Sequence, residues 1–357
     1  MEQTRMRDSA GESVLIAMSG GVDSSVTACL ALDSGYAGVG CMMLLPAESS
    51  EADTIDARLV CEKLGMPFHV LDYRAEFREK VIGRFVGQYL AGKTPNPCID
   101  CNRLMKFGRL FEEADKLGCE KIATGHYARV EKTMDGYFIK KALDETKDQS
   151  YVLYQLTQKQ LARLLLPLWE YRKTEVREIA AKRGFRNASR SDSQDICFVP
   201  DGDYARVIGE WTGAEPPAGD FLDLAGRVIG RNRGIIHYTL GQRRGLGIAG
   251  GEPLYVVKIS ARDNTVTLGP AEALFRRDAR VGSLTWTLGE MPADTFRCRA
   301  KTRYRQREQE VTVTRDGAET VRLLFDEPQR AVTPGQSAVF YLGDTVIGGG
   351  EILPFED

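Results

Sequence analysis

The chain has no apolar run of membrane-spanning length, no internal repeat, no low-complexity tract and almost no net charge, −2 over 357 residues. The missing apolar run, with a polar and mixed-charge start from Met1 to Ser13, gives no signal for export or insertion and leads to the expectation of a cytoplasmic protein. The missing repeat sets solenoids and propellers aside. Near-balanced charge excludes indiscriminate binding of polyanions, although a local basic surface would suffice for nucleic acid. A chain this long, with ordinary apolar and charged fractions, is expected to form two or three soluble domains. Its eight cysteines, in a reducing compartment, point to core, metal or catalytic roles rather than structural disulfides.

One further absence is local. Ser19-Gly20-Gly21-Val22-Asp23-Ser24-Ser25 follows the apolar run Val14 to Met18 and precedes an apolar-periodic segment. A strand ending in paired glycines and opening a helix lets bare backbone N–H groups converge where the helix dipole favours negative charge, so a phosphorylated ligand is expected. A Walker A loop would need Lys-Ser/Thr directly after its last glycine; Val22-Asp23 stands there instead, which argues against a lysine-clamped γ-phosphate. The order Ser-Gly-Gly-x-Asp-Ser resembles the PP-loop of ATP pyrophosphatases, which split ATP to AMP and pyrophosphate while adenylating a carbonyl oxygen.

From Val14 to about Tyr127, short apolar strands alternate with amphipathic helices. The pattern predicts a strand to Met18, a helix from Val22 to Ser34 stopped by Gly35, a strand Val39–Leu45, a helix near Thr54 to Leu64 closed by Gly65, and a strand Phe68–Asp72. This implies an α/β domain with a parallel sheet covered on both faces and ligands at the carboxyl ends of its strands. A further helix is predicted with Asn102 as N-cap and Leu104, Phe107, Leu110, Phe111, Ala114 and Leu117 on one face, then a buried strand over 121–126 and a helix from Lys173 to Arg183 ended by Gly184. Beyond Pro216-Pro217 the segments are short and alternating, with hairpin signals at Asp316-Gly317 and Gly343-Asp344. The expected organisation is the α/β domain over 1–203, a small β domain over 204–273 and a β-barrel over 274–357.

Thr94-Pro95-Asn96-Pro97-Cys98-Ile99-Asp100-Cys101-Asn102 is proline-punctuated and feeds the helix predicted from Asn102. A thiol just ahead of a helix N-terminus sees the positive dipole end, so Cys101 is the best-placed nucleophile; Cys98, in Cys-x-x-Cys spacing, suits redox pairing or shared metal ligation. Cys197 lies where a polar loop, Ser191 to Asp195, turns into Ile196-Cys197-Phe198-Val199, a run in which inert burial is the commoner fate. Cys29, Cys41, Cys61 and Cys119 are expected to pack rather than react. Between Arg297 and Arg307 every odd position is basic, and an extended strand would present Arg297, Arg299, Lys301, Arg303, Arg305 and Arg307 as one cationic stripe suited to a phosphate backbone, with Phe296, Cys298, Ala300 and Tyr304 opposite.

Taken together, Ala17 to Ser24, Thr94 to Pro97 with Cys101-Asn102, Ala123 to Tyr127, Lys147 to Tyr151, Asp192-Ser193, Ile196 to Phe198, His237 to Gln242, Arg303 to Arg305 and Thr333 to Gln336 resemble the tRNA-specific 2-thiouridylases of the MnmA type over nearly the whole length. The resemblance implies an adenine-nucleotide α-hydrolase-like fold and thiolation of C2 of the wobble uridine, residue 34, in tRNAs for Lys, Glu and Gln. It implies ATP and Mg2+ as cofactors, and a persulfide donor protein, a cysteine desulfurase or sulfur relay, as partner. By the same likeness Ala17, Met18, Ser19, Gly20, Gly21, Val22, Asp23, Ser24, Met43 and Gly125 would hold ATP. Asn96, Pro97 and Cys98 would line the target-base pocket, while His126, Lys147, Asp148, Gln149, Arg303, Tyr304 and Gln336 would touch tRNA. Cys101 corresponds to the nucleophile and Cys197 to the persulfide carrier. Many relatives have Asp where this chain has Cys98, and two arrangements stay open: a persulfide on Cys197 resolved by a disulfide with Cys101, or a [4Fe-4S] cluster on Cys98, Cys101 and Cys197 with one iron left to carry sulfide. The competing functions are a PP-loop ligase adenylating a small molecule, which needs neither paired cysteines nor a cationic barrel, and a non-enzymatic RNA-binding module.

Overall fold

The computed structural model describes residues 11–46, 50–190, 196–214, 216–248 and 251–355. In the first part the strands are β1 (Ser13–Ala17), β2 (Ala37–Leu44), β3 (Phe68–Asp72), β4 (Lys121–Ala123), a hairpin of β5 (Arg129–Lys132) and β6 (Tyr137–Lys140), and the short β7 (Leu164–Leu165). Five of them form an all-parallel sheet in the order β3-β2-β1-β4-β7. A strand alternates its side chains between faces, and β1 shows it. Leu15 packs with Phe107, Leu110 and Ile122 on one side; Val14 and Ile16 pack with Val22, Val26 and Ala28 on the other. Helix α1 (Val22–Asp33) covers that second face, and α2 (Glu51–Leu64) begins with a reciprocal capping box between Ser50 and Asp53 and ends at Gly65, whose φ of 69° is the left-handed geometry glycine adopts at low cost.

The helix predicted from Asn102 starts earlier. Helical backbone runs through Pro97–Asp100, a π-helical stretch Cys101–Arg109 and Leu110–Lys116. Its N-cap is Asn96, whose side chain accepts the Cys98 N–H at 3.2 Å, and Pro97 occupies the first helical position, where its missing N–H costs nothing. Asn102 instead lies inside the helix, buried, donating to the Val152 carbonyl at 3.3 Å.

The second part opens with a helix, Tyr204–Thr212, not a strand; Tyr204, Val207, Ile208 and Trp211 carry helical spacing, Asp203 caps it, and Gly213 at φ 67° stops it. Strands β8 (Gly219–Leu222), β9 (Val228–Asn232), β10 (Tyr255–Ser260) and β11 (Thr265–Gly269) follow in the order β10-β11-β8-β9. In the third part β12 (Phe275–Trp286), β13 (Thr295–Lys301), β14 (Gln309–Arg315), β15 (Val321–Arg330), β16 (Ser337–Leu342) and β17 (Thr345–Ile352) make an antiparallel sheet closed by β12–β17 pairing into a six-stranded barrel, filled by residues such as Val281, Val313, Leu323 and Phe340. Asp316-Gly317 and Gly343-Asp344 are its predicted turns.

Apolar clusters tie the parts together. Phe77, Phe85, Tyr89 and Cys101 pack with Phe221, Tyr238, Val256 and Leu268 of the second part. Tyr151 and Tyr154 pack with Val339, Tyr341 and Val346 of the barrel, and the Tyr151 hydroxyl donates to the Ser337 carbonyl at 2.8 Å. Burying one such side chain contributes about 1.5–3 kcal/mol. The β5–β6 hairpin, which the sequence pattern did not announce, extends the barrel sheet through Thr345 opposite Lys140. Among the described residues no helix is long and apolar enough to cross a membrane.

Candidate active site

The Ser19–Ser24 loop sits at the carboxyl end of β1. Gly20 has φ 74°, and a Cβ there would lie 2.5 Å from the Asp53 carbonyl, so the loop rests directly on the first turn of α2. Gly125, in the loop after β4, also approaches the Ser19–Ser24 loop closely: a Cβ there would stand 3.1 Å from the Asp23 carbonyl carbon and the Ser24 nitrogen. Gly21 is the N-cap of α1 and offers no side-chain acceptor to the first-turn N–H groups, which suits an anion from outside the chain. Ser24 and Ser25 hydroxyls both donate to the Gly21 carbonyl at 3.0 Å, and the Ser19 N–H donates to Ser24 Oγ at 3.2 Å, fixing the loop's shape. Ala17, Met18 and Val22 lie along the same strand and helix, and Met43 is half-buried on neighbouring β2.

Three residues to which the sequence assigned no role at the loop hold it in place. Lys173 Nζ lies 2.7 Å from both carboxylate oxygens of Asp23, and the Tyr127 hydroxyl donates to the same carboxylate at 2.8 Å. The Asn187 amide donates to the Gly20 carbonyl at 2.7 Å and to Ser25 Oγ at 2.9 Å. Tyr127 belongs to a quoted stretch and Lys173 starts a predicted helix, but contacts spanning 104 and 150 positions leave no local signal.

All eight cysteines carry thiols. Cys29, Cys41, Cys61 and Cys298 are buried, and burial pushes them up to about 11, 12, 12 and 12; burial raises Cys119 too, so these five pack rather than react. Cys101 is buried within the cluster of Phe77, Phe85 and Tyr89, and Cys197 packs against that same cluster; Cys98 is exposed. Since helical backbone begins at Pro97, the thiol at the dipole end is that of Cys98, and Cys101 sits one turn further in. This corrects the expectation that Cys101 precedes the helix. Among the described residues no group of three or more His, Cys, Asp or Glu is gathered to hold a metal, so Cys98, Cys101 and Cys197 in this arrangement do not fit a [4Fe-4S] ligand set. Asp192 and Ser193 lie outside the described residues.

A cavity of about 310 Å3 opens beside the cysteine helix, lined by Asn96, Pro97, Gln336, Ile196, Thr239 and the stacked pair Tyr89 and Tyr204, whose ring centroids are 5.8 Å apart. Gln336 donates to the Thr94 carbonyl at 2.8 Å, bringing the barrel to the proline-rich loop. Tyr304 donates to the Asp148 carbonyl at 3.1 Å, and burial chiefly, with Asp148 and Cys98 nearby, pushes its hydroxyl up to about 12. Half-buried Gln149 exchanges hydrogen bonds with the Tyr127 backbone, and Lys147 ends a turn two residues before it.

Three residues expected to touch tRNA, His126, Asp148 and Arg303, face inward in this structure. His126 is buried, its Nδ1 2.8 Å from Thr124 Oγ1, and burial holds it neutral by lowering its pKa to about 3. The Asp148 carboxylate is buried too, accepting from Ser150 Oγ at 2.7 Å and the Ala142 N–H at 3.1 Å, and burial raises its pKa. The basic run departs from a stripe as well: the strand ends at Lys301, and its cations meet carboxylates. Arg297 makes a two-point pair with Asp326 at 2.6 Å, and Arg299 bonds Glu310 at 3.0 Å. Arg303 turns inward, donating to the Thr333 hydroxyl at 2.5 Å and the Leu240 carbonyl at 3.2 Å.

Residues 12–201 match the tRNA methyl transferase HUP domain, 206–270 the tRNA methyl transferase PRC-barrel domain and 276–352 the aminomethyltransferase β-barrel domain. The chain is 46% identical over 353 residues to a tRNA-specific 2-thiouridylase MnmA of Carboxydothermus hydrogenoformans, covering 95% of this chain and 97% of that one. To the protein of the same name from Clostridioides difficile it is 43% identical over 351 residues, covering 95% and 97%. Among solved structures, a 4-thiouridine synthetase–RNA complex with bound ATP is similar over 53% of this chain and 45% of that chain, with 22% identity and a TM-score of 0.38. On a family model spanning the whole α/β part and relatives matched almost from end to end, the chain belongs to the tRNA-specific 2-thiouridylase MnmA family.

Proposed function

We propose that this chain is a tRNA uridine 2-sulfurtransferase that replaces O2 of the wobble uridine, residue 34, with sulfur in tRNAs for Lys, Glu and Gln. The observation that carries the reading is the cavity lined by Asn96, Pro97 and Gln336: Tyr89, on its wall, belongs to the apolar cluster that also takes in Cys101 and Cys197. Its volume of about 310 Å3 accommodates a base lifted from an anticodon loop, where unstacking is cheap. Residues 1–203 are assigned the nucleotide chemistry, 204–273 the bridge and 274–357 the docking of tRNA.

ATP lies over Ala17 to Ser24, with Met43 and Gly125 beside it, and the first-turn N–H groups of α1 take phosphate oxygens. Lys173 brings from a distant helix the cation that the loop itself lacks. The uracil O2 attacks the α-phosphorus and pyrophosphate leaves. The terminal sulfur of a persulfide on Cys197 then attacks C2, and AMP departs with the oxygen. The Cys101 thiolate attacks the Cys197 sulfur, releasing the thione on the base and leaving a Cys101–Cys197 disulfide. The transferred sulfur takes its two electrons from these thiols, and an external thiol reductant reopens the pair. A persulfide donor, a cysteine desulfurase or sulfur relay, reloads Cys197. Magnesium, when bound with ATP, screens the phosphates. The described residues form no donor set for it or for a cluster, and no step runs through either.

The test is turnover by purified, iron-free chain with ATP, a transcript of one of these tRNAs and a persulfide donor. AMP and 2-thiouridine are expected in equal amounts, with thiolation abolished in both Cys101→Ser and Cys197→Ser. Full activity of Cys101→Ser, or activity only after iron is restored, would overturn the thiol relay.

A further inference from the structure

The turn that carries the cysteines is tied to the barrel by a chain of charges. Glu351, near the end of β17, is largely buried; its Oε1 lies 2.8 Å from Lys93 Nζ, and its Oε2 accepts Arg84 Nη2 at 3.2 Å and Gln88 Nε2 at 3.3 Å. The same Arg84, on the helix Gly83–Leu90, places its Nε 2.9 Å from Oδ2 of Asp100. Asp100 stands between Cys98 and Cys101, with its side chain 11% exposed, and its other oxygen meets Arg103 at 3.4 Å. Burial raises the Asp100 pKa against the pull of both arginines, so its carboxylate depends on them. A second tie runs alongside. The Thr94 N–H donates to the Pro334 carbonyl at 2.9 Å, and Gly335, at φ 89°, packs so closely that a Cβ would lie 2.9 Å from Lys93 Cβ.

We infer that Arg84 is a positioning residue for thiolation: held by Glu351 of the barrel, it fixes Asp100 and thereby the turn bearing Cys98 and Cys101, so that the reactive thiol is set only when the barrel is seated. The inference rests on the function proposed above. Arg84 is 42% exposed on its side chain, so its pairs add little to global stability. Its contribution is to geometry. Glu351 acts on the cysteine turn through Arg84, which makes the two positions energetically one unit.

The experiment compares the full chain with Arg84→Ala, Arg84→Lys, Glu351→Gln and the double variant Arg84→Ala/Glu351→Gln. Four quantities are read: kcat and KM for tRNA, the rate of Cys101 alkylation by iodoacetamide mapped by mass spectrometry, and the melting temperature. Arg84→Ala is expected to lower kcat about 10-fold and Glu351→Gln about 3-fold with KM changed less than about 2-fold, while Arg84→Lys restores part of the loss. The double variant should be no worse than Arg84→Ala alone, the non-additivity expected of residues acting through one path. Cys101 alkylation should change at least about 3-fold in Arg84→Ala at an unchanged melting temperature. Additive losses, an effect confined to KM, or alkylation at the unaltered rate would each overturn the positioning role. If the unaltered chain fails to thiolate tRNA, the proposed function fails instead, while alkylation still reads the link between Arg84 and the cysteine turn.

Discussion

The two regions expected to meet phosphate are built on opposite principles. The Ser19–Ser24 loop is made of backbone: glycines pressed against α2 and against Asp23, uncapped N–H groups, and one carboxylate answered by Lys173. The strand after Arg297 is made of side chains, and Asp326, Glu310, the Leu240 carbonyl and the Thr333 hydroxyl engage its arginines. A backbone site is written in consecutive residues, so its sequence announces it. A charged site depends on what the fold sets opposite each charge, and a run of arginines alone cannot report that.

The strongest way to break the comparison is Gly20→Ala. A side chain at φ 74° and 2.5 Å from the Asp53 carbonyl must displace the loop, and AMP formation with tRNA should fall more than about 100-fold with roughly 2–4 kcal/mol lost in denaturant titration. Activity retained within twofold would mean that the glycines are dispensable. Next is Lys173→Ala, which leaves the Asp23 carboxylate with Tyr127 but without its cation; kcat/KM for ATP should drop about 10- to 100-fold, and Lys173→Arg should keep more of it.

On the barrel side, Arg303→Ala removes a guanidinium turned inward onto Thr333 and the Leu240 carbonyl and should cost about 1–3 kcal/mol in denaturant titration, while Arg297→Ala should weaken tRNA binding less than about 2-fold because Asp326 already engages that guanidinium. Asp326→Asn sharpens the point. Releasing Arg297 should tighten binding to any RNA by about 2-fold at low salt, a gain that 0.2 M salt should erase. A pH titration assigns His126 to one side of the comparison. Its folded pKa of about 3 lies below the unfolded value near 6.5, so the unfolded chain takes up the proton first. Stability from this group is complete above pH about 6.5 and is lost as pH falls toward about 3, by at most about 1.4 kcal/mol per unit. His126→Gln should flatten the stability curve over that range; an unchanged slope would mean that the ring is solvated and available to RNA.

Much of the α/β part was legible because its signals are local. β3 spans Phe68–Asp72 as its apolar run indicates, α1 starts at Val22, and the turns Asp316-Gly317 and Gly343-Asp344 join the strands they should. The start of the cysteine helix was also written locally, in Asn96-Pro97, but the better-known cap signal of Asn102 lay in a continuous apolar pattern and drew the cap six positions late. The Tyr204–Thr212 helix was hidden by its β-rich surroundings, although its own spacing is helical. Lys173 and Asn187 at the nucleotide loop, and Tyr89 and Tyr204 at the cavity, come together only through tertiary contacts.

The β5–β6 hairpin carries a practical consequence. Because Lys140 finds its strand partner in Thr345, a fragment cut before residue 275 would be left with a raw β edge on an otherwise finished enzyme half. Such an edge recruits whatever strand arrives first, and the truncated half is expected to stick to itself instead of serving as a miniature catalyst.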